Sequence, residues 1–181
     1  MKDFTLSCTI PSTTYIGKSN ISNFGVFANE DFKKGDIIYK NSAIIVKNDD
    51  IPDIFYLQTS EERFILNKNH HLVPYGDNNT SLLYNFDTFS NHSCDPNTIY
   101  PLIDKDPCNY QCIAFKDIRA GEELTCNYNL MPYNDHSPFS CNCGYSECYG
   151  KIGGLYSLNN QAQKEILEKY DLGNFSNHVN Y

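Results

Sequence analysis

Three cysteines fall within eight residues in Cys141-Asn142-Cys143-Gly144-Tyr145-Ser146-Glu147-Cys148, a C-x-C-x4-C spacing. Thiols this close along the chain reach around a single point, and such crowding suits a tetrahedral metal site. Zinc is the natural occupant, because it stabilises thiolates, takes four nitrogen or sulfur ligands and has no redox chemistry of its own. Three local ligands leave one position to fill. On spacing alone the fourth comes from Cys94, Cys108, Cys112, Cys126 or His136. The plainer alternative is three reduced thiols without a metal, and any single remaining cysteine is more often buried and inert.

A second group is Asn91-His92-Ser93-Cys94-Asp95-Pro96-Asn97, dense in polar side chains, ended by a proline and preceded by the aromatic run Phe86-Asp87-Thr88-Phe89. A loop of this kind serves a ligand, or else Asn91 and His92 simply cap a turn and satisfy local backbone groups.

These groups must be held by strands. Short β-like runs bounded by turn residues fill most of the chain, among them 24–28, 36–39, 43–46, 81–86, 98–103 and 110–115. Tight turns are signalled at Lys33-Lys34-Gly35-Asp36 and Arg119-Ala120-Gly121-Glu122, where glycine supplies a positive φ at little steric cost. Helix is expected only near the C-terminus, where Leu158, Ala162, Ile166 and Tyr170 recur every four residues behind Asn159 and Asn160 as caps. Residues 52–71 fit neither period cleanly and read as mixed helix and strand, and residues 176–181 as a frayed end.

A length of 181 residues suffices for one domain with a hydrophobic core, and no composition shift divides it. With 14 Tyr, 11 Phe and no Trp, aromatic rings must supply much of the packing. A net charge of -8 repels phosphate backbones, and no basic cluster interleaves with aromatics, so direct nucleic-acid binding is not expected. The acidic surface suits a basic partner such as a Lys/Arg-rich peptide, or serves solubility alone. No apolar stretch reaches signal-peptide or membrane-spanning length, which reads as an intracellular protein, nuclear or cytoplasmic, without membrane contact. In a reducing compartment its eight cysteines point to metal or free thiols and away from disulfides.

The segment from Asn91 to Asn97 resembles the N-H-S-C-x-P-N signature of SET-domain protein lysine methyltransferases. Further motifs follow the family's order. Residues 18–28 are similar to the first SET motif, with Asn23-Phe24-Gly25 standing where G-x-G is common. Gly121-Glu122-Glu123-Leu124-Thr125-Cys126-Asn127-Tyr128 looks like G-E-E-L-T-[YF]-D-Y, and the cysteine cluster matches the post-SET zinc motif. The resemblance spans about residues 15 to 153. It implies a mainly β, β-rich α+β fold of short sheets, with the segment around Asn91 threaded under the downstream one as a pseudoknot. It also implies a SET domain over 1–136, a post-SET zinc segment over 137–154 and a C-terminal helix and tail over 155–181.

By the same resemblance the chain transfers methyl groups from S-adenosylmethionine to the ε-amine of a protein lysine, a histone tail being the commonest target. Such a displacement needs alignment and desolvation more than an acid or base, and burial lowers the lysine pKa. Tyr128 matches the catalytic tyrosine. Asn23, Phe24, Gly25, Asn91, His92, Tyr128 and Phe139 match cofactor-binding positions, and Cys94 joins Cys141, Cys143 and Cys148 on a structural zinc. Phe86, Phe89, Tyr39 and Tyr133 are candidate walls of the lysine channel. Two departures stand out: Asn23 replaces a glycine at a position where asparagine tolerates left-handed backbone. Cys126 replaces the Phe or Tyr that limits methyl number, so more than one methyl group is expected. The competing readings are a catalytically inactive zinc-containing binding module for a basic peptide, which would not bind the cofactor, and a secreted disulfide domain, which would oxidise Cys141, Cys143 or Cys148. Oligomeric state is open.

Overall fold

A computed structural model describes residues 3–75, 79–103, 106–131 and 138–170. His136, Tyr133, the boundary at 136/137 and the chain end beyond 170 lie outside the described residues.

The centre of the fold is a four-stranded sheet ordered Asn91–His92, Glu123–Cys126, Phe24–Ala28, Thr14–Lys18. It joins three segments distant in sequence that carry the chemistry-bearing motifs. The Asn91–His92 strand runs parallel to Glu123–Cys126, pairing Asn91 with Thr125 and His92 with Cys126. The threading expected of a pseudoknot is locked by side chains. Asn97 Nδ2 donates to the Glu123 carbonyl (2.8 Å), its Oδ1 accepts from Thr125 N (2.8 Å), and Thr98 Oγ1 donates to the Thr125 carbonyl (2.8 Å). Polar residues thereby replace ladder bonds where two non-adjacent segments meet.

Around this sheet sit smaller ones. Thr5–Ser7 pairs parallel with Ile54–Gln58, which pairs antiparallel with Arg63–Asn67. Ile44–Lys47 and Leu72–Pro74 flank Thr80–Leu83. Ile37–Ser42 pairs with the long strand Asp106–Ala114, which also takes up Thr98–Ile99 and Leu102–Ile103. The expected strand over 98–103 is thus split in two, and Pro101, lacking an N–H, stands at the break. Residues 52–71 resolve into two strands and a single helical turn, Lys68–His71. The signalled turns form with Gly35 at φ +96° and Gly121 at φ +85°.

The core is aromatic as the composition requires. Phe24, Phe64 and Phe89 surround one another with ring centroids 5.1 to 5.9 Å apart, over buried Val26, Phe55, Leu57, Leu66 and Leu124. A second small core carries the helix Asn160–Lys169. Asn159 caps its N-terminus by accepting from Ala162 N (3.0 Å), and Ile166 and Tyr170 are buried with Leu155. The Tyr170 hydroxyl donates to the Cys94 carbonyl (3.4 Å), tying the helix to the cysteine-bearing loop. Among the described residues no helix is long and apolar enough to cross a membrane.

Candidate active site

Pairing of Asn91–His92 with Glu123–Cys126 brings Tyr128, just past the second strand, against the first. Its N–H donates to His92 Nδ1 (3.1 Å) and its hydroxyl to the Ser90 carbonyl (2.6 Å). The phenol is therefore held at both ends by the segment preceding Cys94. The His92 ring meets Tyr128 edge-on at 5.4 Å, and Phe139 meets Tyr128 at 6.1 Å and His92 at 6.4 Å. Phe139 is 43% exposed, so this aromatic corner opens to solvent on one side.

His92 joins the corner to the thiols. Burial pushes its pKa down to about 4, so the ring is neutral near pH 7. Because Nδ1 accepts from Tyr128, the proton sits on Nε2, 3.2 Å from Cys94 Sγ. One imidazole thus orients the backbone of Tyr128 and supports a sulfur ligand.

Cys94, Cys141, Cys143 and Cys148 converge, their sulfurs all within 4.8 Å of one another. Ligands about 2.3 Å from a tetrahedral zinc stand about 3.8 Å apart, and the contacts are 3.8 Å for Cys94–Cys141, 3.7 Å for Cys94–Cys148 and 3.9 Å for Cys143–Cys148. Disulfides require about 2.05 Å, so the secreted, oxidised reading does not describe this cluster. Backbone N–H groups point at the sulfurs: Cys94 N at Cys143 (3.5 Å), Cys143 N at Cys141 (3.4 Å), Tyr149 N at Cys94 (3.5 Å) and Gly150 N at Cys148 (3.3 Å). Burial raises the Cys94 thiol well above its ordinary value and Cys141 to about 11. For Cys143 burial also pushes upward, but donation from the Cys94 and Tyr145 amides and from neighbouring thiols prevails and lowers it to about 7. Thiolates gathered at these separations call for a dication. The donor set fits zinc with no place for a water. Cys108, Cys112 and Cys126 stand outside it.

On the opposite side of Asn91 its amide Nδ2 donates to the Phe24 carbonyl (2.8 Å) and Glu123 Oε1 (2.7 Å), while Ser19 Oγ donates to the same carboxylate. Asn23 takes φ +32°, the positive value that asparagine tolerates. Gly25 is needed for a different reason: a Cβ there would stand 2.3 Å from Glu123 Oε1. Asn23, Phe24, Gly25 and Asn91 thus form one ridge of backbone and amide beside a carboxylate.

Of the candidate channel walls, Phe86 and Phe89 are core residues, and Tyr39 is buried against Asp87. Ser90 stands just before the Asn91–Asn97 motif and Glu123 lies within the 121–128 motif; the sequence alone assigns neither a role, yet both hold site residues in place. The Ser90 hydroxyl lies 3.9 Å from Cys126 Sγ, so it occupies part of the space that the small thiol leaves.

A family model for the SET domain matches residues 23–129. This chain belongs to the SET-domain family. It is 27% identical over 153 residues to a histone-lysine N-methyltransferase of Chaetomium globosum named H3 lysine-36 specific, covering 76% of this chain but 15% of that protein. Two solved structures share the fold: SUVH6 of Arabidopsis thaliana in complex with SAM (TM-score 0.53, 17% identity, 76% of this chain and 32% of that one) and KRYPTONITE with DNA, an H3 peptide and SAH (TM-score 0.52, 17% identity, 76% and 29%). This SET-domain chain therefore spans a small part of its relatives' lengths, and three of the four clustered cysteines, Cys141, Cys143 and Cys148, follow the matched segment in a place compatible with a post-SET motif.

Proposed function

We propose that this SET-domain chain is an S-adenosylmethionine-dependent protein lysine methyltransferase acting on histone tails in the nucleus, with residues 1–136 as catalytic unit, 137–154 as zinc segment and 155–181 as C-terminal helix and tail. The observation that carries the reading is Tyr128, its hydroxyl fixed on the Ser90 carbonyl and its backbone on His92, beside the four-thiol cluster. That geometry gives a phenol at a fixed point in ring contact with buried His92 and exposed Phe139. Membership of the family, a relative named for histone H3 lysine 36 and fold neighbours solved with SAM or SAH support the same assignment.

In this reading Asn23, Phe24, Gly25 and Asn91 hold the methionine end of the cofactor, and His92 and Phe139 its adenine. When bound, the cofactor supplies a methyl group already activated on a sulfonium. The chain's own work is to orient the lysine nitrogen with the Tyr128 hydroxyl and the Ser90 carbonyl, to exclude water, and to keep the amine neutral. Cys94, Cys141, Cys143 and Cys148 would hold zinc as a closed shell that builds the wall behind Phe139 and takes no part in the transfer.

The test is incubation of zinc-loaded protein with labelled S-adenosylmethionine and core histones. Label should enter histone, and Tyr128→Phe, which removes one hydroxyl, should lose about a hundredfold in rate while binding cofactor normally by calorimetry. An inactive peptide-binding module would show neither cofactor binding nor transfer.

A further inference from the structure

Asp87 is a carboxylate at 8% exposure, and among the described residues no salt bridge reaches it. Three groups donate to it: the Tyr39 hydroxyl on Oδ1 (2.6 Å), Asn41 Nδ2 on Oδ2 (2.9 Å), and the Tyr110 hydroxyl on Oδ2. A buried carboxylate is costly unless hydrogen bonds satisfy it, and these three donors do so. From Tyr39 a continuous chain leads away: its hydroxyl lies 3.0 Å from that of Tyr100, which lies 3.1 Å from Ser90 Oγ. The direction of the inner links follows from the carboxylate. Tyr39 gives its proton to Asp87 and so accepts from Tyr100, whose own acceptor lone pair is left for the Ser90 hydroxyl, which also lies 3.4 Å from the Leu124 carbonyl. Ser90 is also the residue whose carbonyl receives the Tyr128 hydroxyl. The chain thus begins on the side chain of the residue whose carbonyl holds the Tyr128 hydroxyl.

We infer that Asp87 is the acceptor, through Tyr39, Tyr100 and Ser90, of the proton that the substrate ammonium must lose before methyl transfer. This rests on the methyltransferase reading and names a group it lacked. In the step an N–H bond of the lysine ammonium breaks as the Ser90 oxygen takes the proton. The Ser90 proton passes to Tyr100, that of Tyr100 to Tyr39, and that of Tyr39 to Asp87. The net change is ammonium plus carboxylate to amine plus carboxylic acid, with no other bond altered. Burial raises the pKa of Asp87 from its ordinary value, against the opposing effect of Tyr110, Tyr39 and Asn41, which makes it a better proton acceptor than an exposed carboxylate. The titratable groups facing it are Cys8, Tyr39, Tyr100, Tyr110, Cys112 and Cys126; burial above all, and next the charge of Asp87 for most of them, raises each of these. None of them competes as a base near neutrality. Asn41, which donates to Asp87, also lines a cavity of about 360 Å³ with Ser7, Cys8, Thr9 and Asn85.

The experiment measures kcat between pH 7 and 9 for wild type, Asp87→Asn, Tyr39→Phe and Tyr110→Phe with labelled S-adenosylmethionine and core histones. Cofactor affinity and thermal midpoint are followed in parallel. Asp87→Asn and Tyr39→Phe should fall about a hundredfold at pH 7 and then rise about tenfold per pH unit, as the fraction of neutral lysine does in water. The wild type should change far less over that range. Tyr110→Phe, which removes a donor without interrupting the chain, should stay within about tenfold of wild type, a shift of one pKa unit. Rates of Asp87→Asn and Tyr39→Phe that run parallel to wild type at every pH, whether equal or uniformly lowered, would overturn the relay and leave Asp87 a packing residue. A wild type that moves no label would overturn the methyltransferase reading, and the relay with it.

Discussion

The Tyr128 phenol and the Asp87 carboxylate both connect to Ser90, the first through its carbonyl and the second, by way of Tyr39 and Tyr100, through its hydroxyl, and each makes a separate demand on the chain. Asp87 has a folded pKa above its ordinary value of 3.8. Such a group takes up protons on folding, so its contribution to stability is fully present below that value and is lost as pH rises through the folded pKa. The thermal midpoint of wild type relative to Asp87→Asn should therefore decline as pH is raised from 4 towards 7. A difference that stays constant or grows across that range would contradict the assigned direction. At Cys126 the relevant quantity is volume. Replacing the thiol by a ring crowds the space shared with the Ser90 hydroxyl, 3.9 Å away, so Cys126→Phe should shift the product towards fewer methyl groups. Mass spectrometry of the modified histone reads this directly, and an unchanged distribution would show that residue 126 does not bound the lysine.

At the level of elements, the four sulfurs do for the C-terminal segment what a larger core would do elsewhere. Phe139–Ser140 and Lys151–Ile152 form only a two-residue pairing, too small to stand alone. They flank the cluster, and the helix Asn160–Lys169 is tied to it through Tyr170 and the Cys94 carbonyl. Chelation of zinc should increase amide exchange at residues 138–152 and in that helix, while the Phe24–Ala28 and Glu123–Cys126 strands stay protected. Uniform exchange, or none, would separate the metal from this part of the fold. Within the helix, Ile166 is 1% exposed, and Ile166→Ala should cost about 2–5 kcal/mol in chemical denaturation. Much of this architecture was legible beforehand. The glycine turns at Gly35 and Gly121, the Asn159 cap with the four-residue stripe ending at Tyr170, and the convergence of Cys94 on the C-terminal thiols all follow from local chemistry or from motif order. The hidden parts depend on partners far away in sequence. Gly25 is a glycine because Glu123 approaches from nearly a hundred residues downstream. Asp87, Tyr39, Tyr100 and Ser90 show no spacing that announces a network, since Tyr39 comes from another strand altogether.

As a whole, the molecule carries a net charge of -8, and the proposed substrates, histone tails, are rich in lysine and arginine. Long-range attraction of this kind is screened over about 10 Å at 0.1 M salt, so the KM for core histones should rise with ionic strength while kcat changes little. A KM insensitive to salt would show that recognition rests on short-range contacts alone. The SET fold unites three stretches of chain into one sheet so that the ends of two of them, Ser90 and Tyr128, meet, and the proposed transfer depends on that meeting. The decisive measurement is tandem mass spectrometry of core histones after incubation with S-adenosylmethionine and the zinc-loaded protein. Methyl groups on lysine ε-nitrogens with wild type, and nearly none with Tyr128→Phe, are the expected result. Unmodified lysines with a folded, zinc-bound wild type would contradict it.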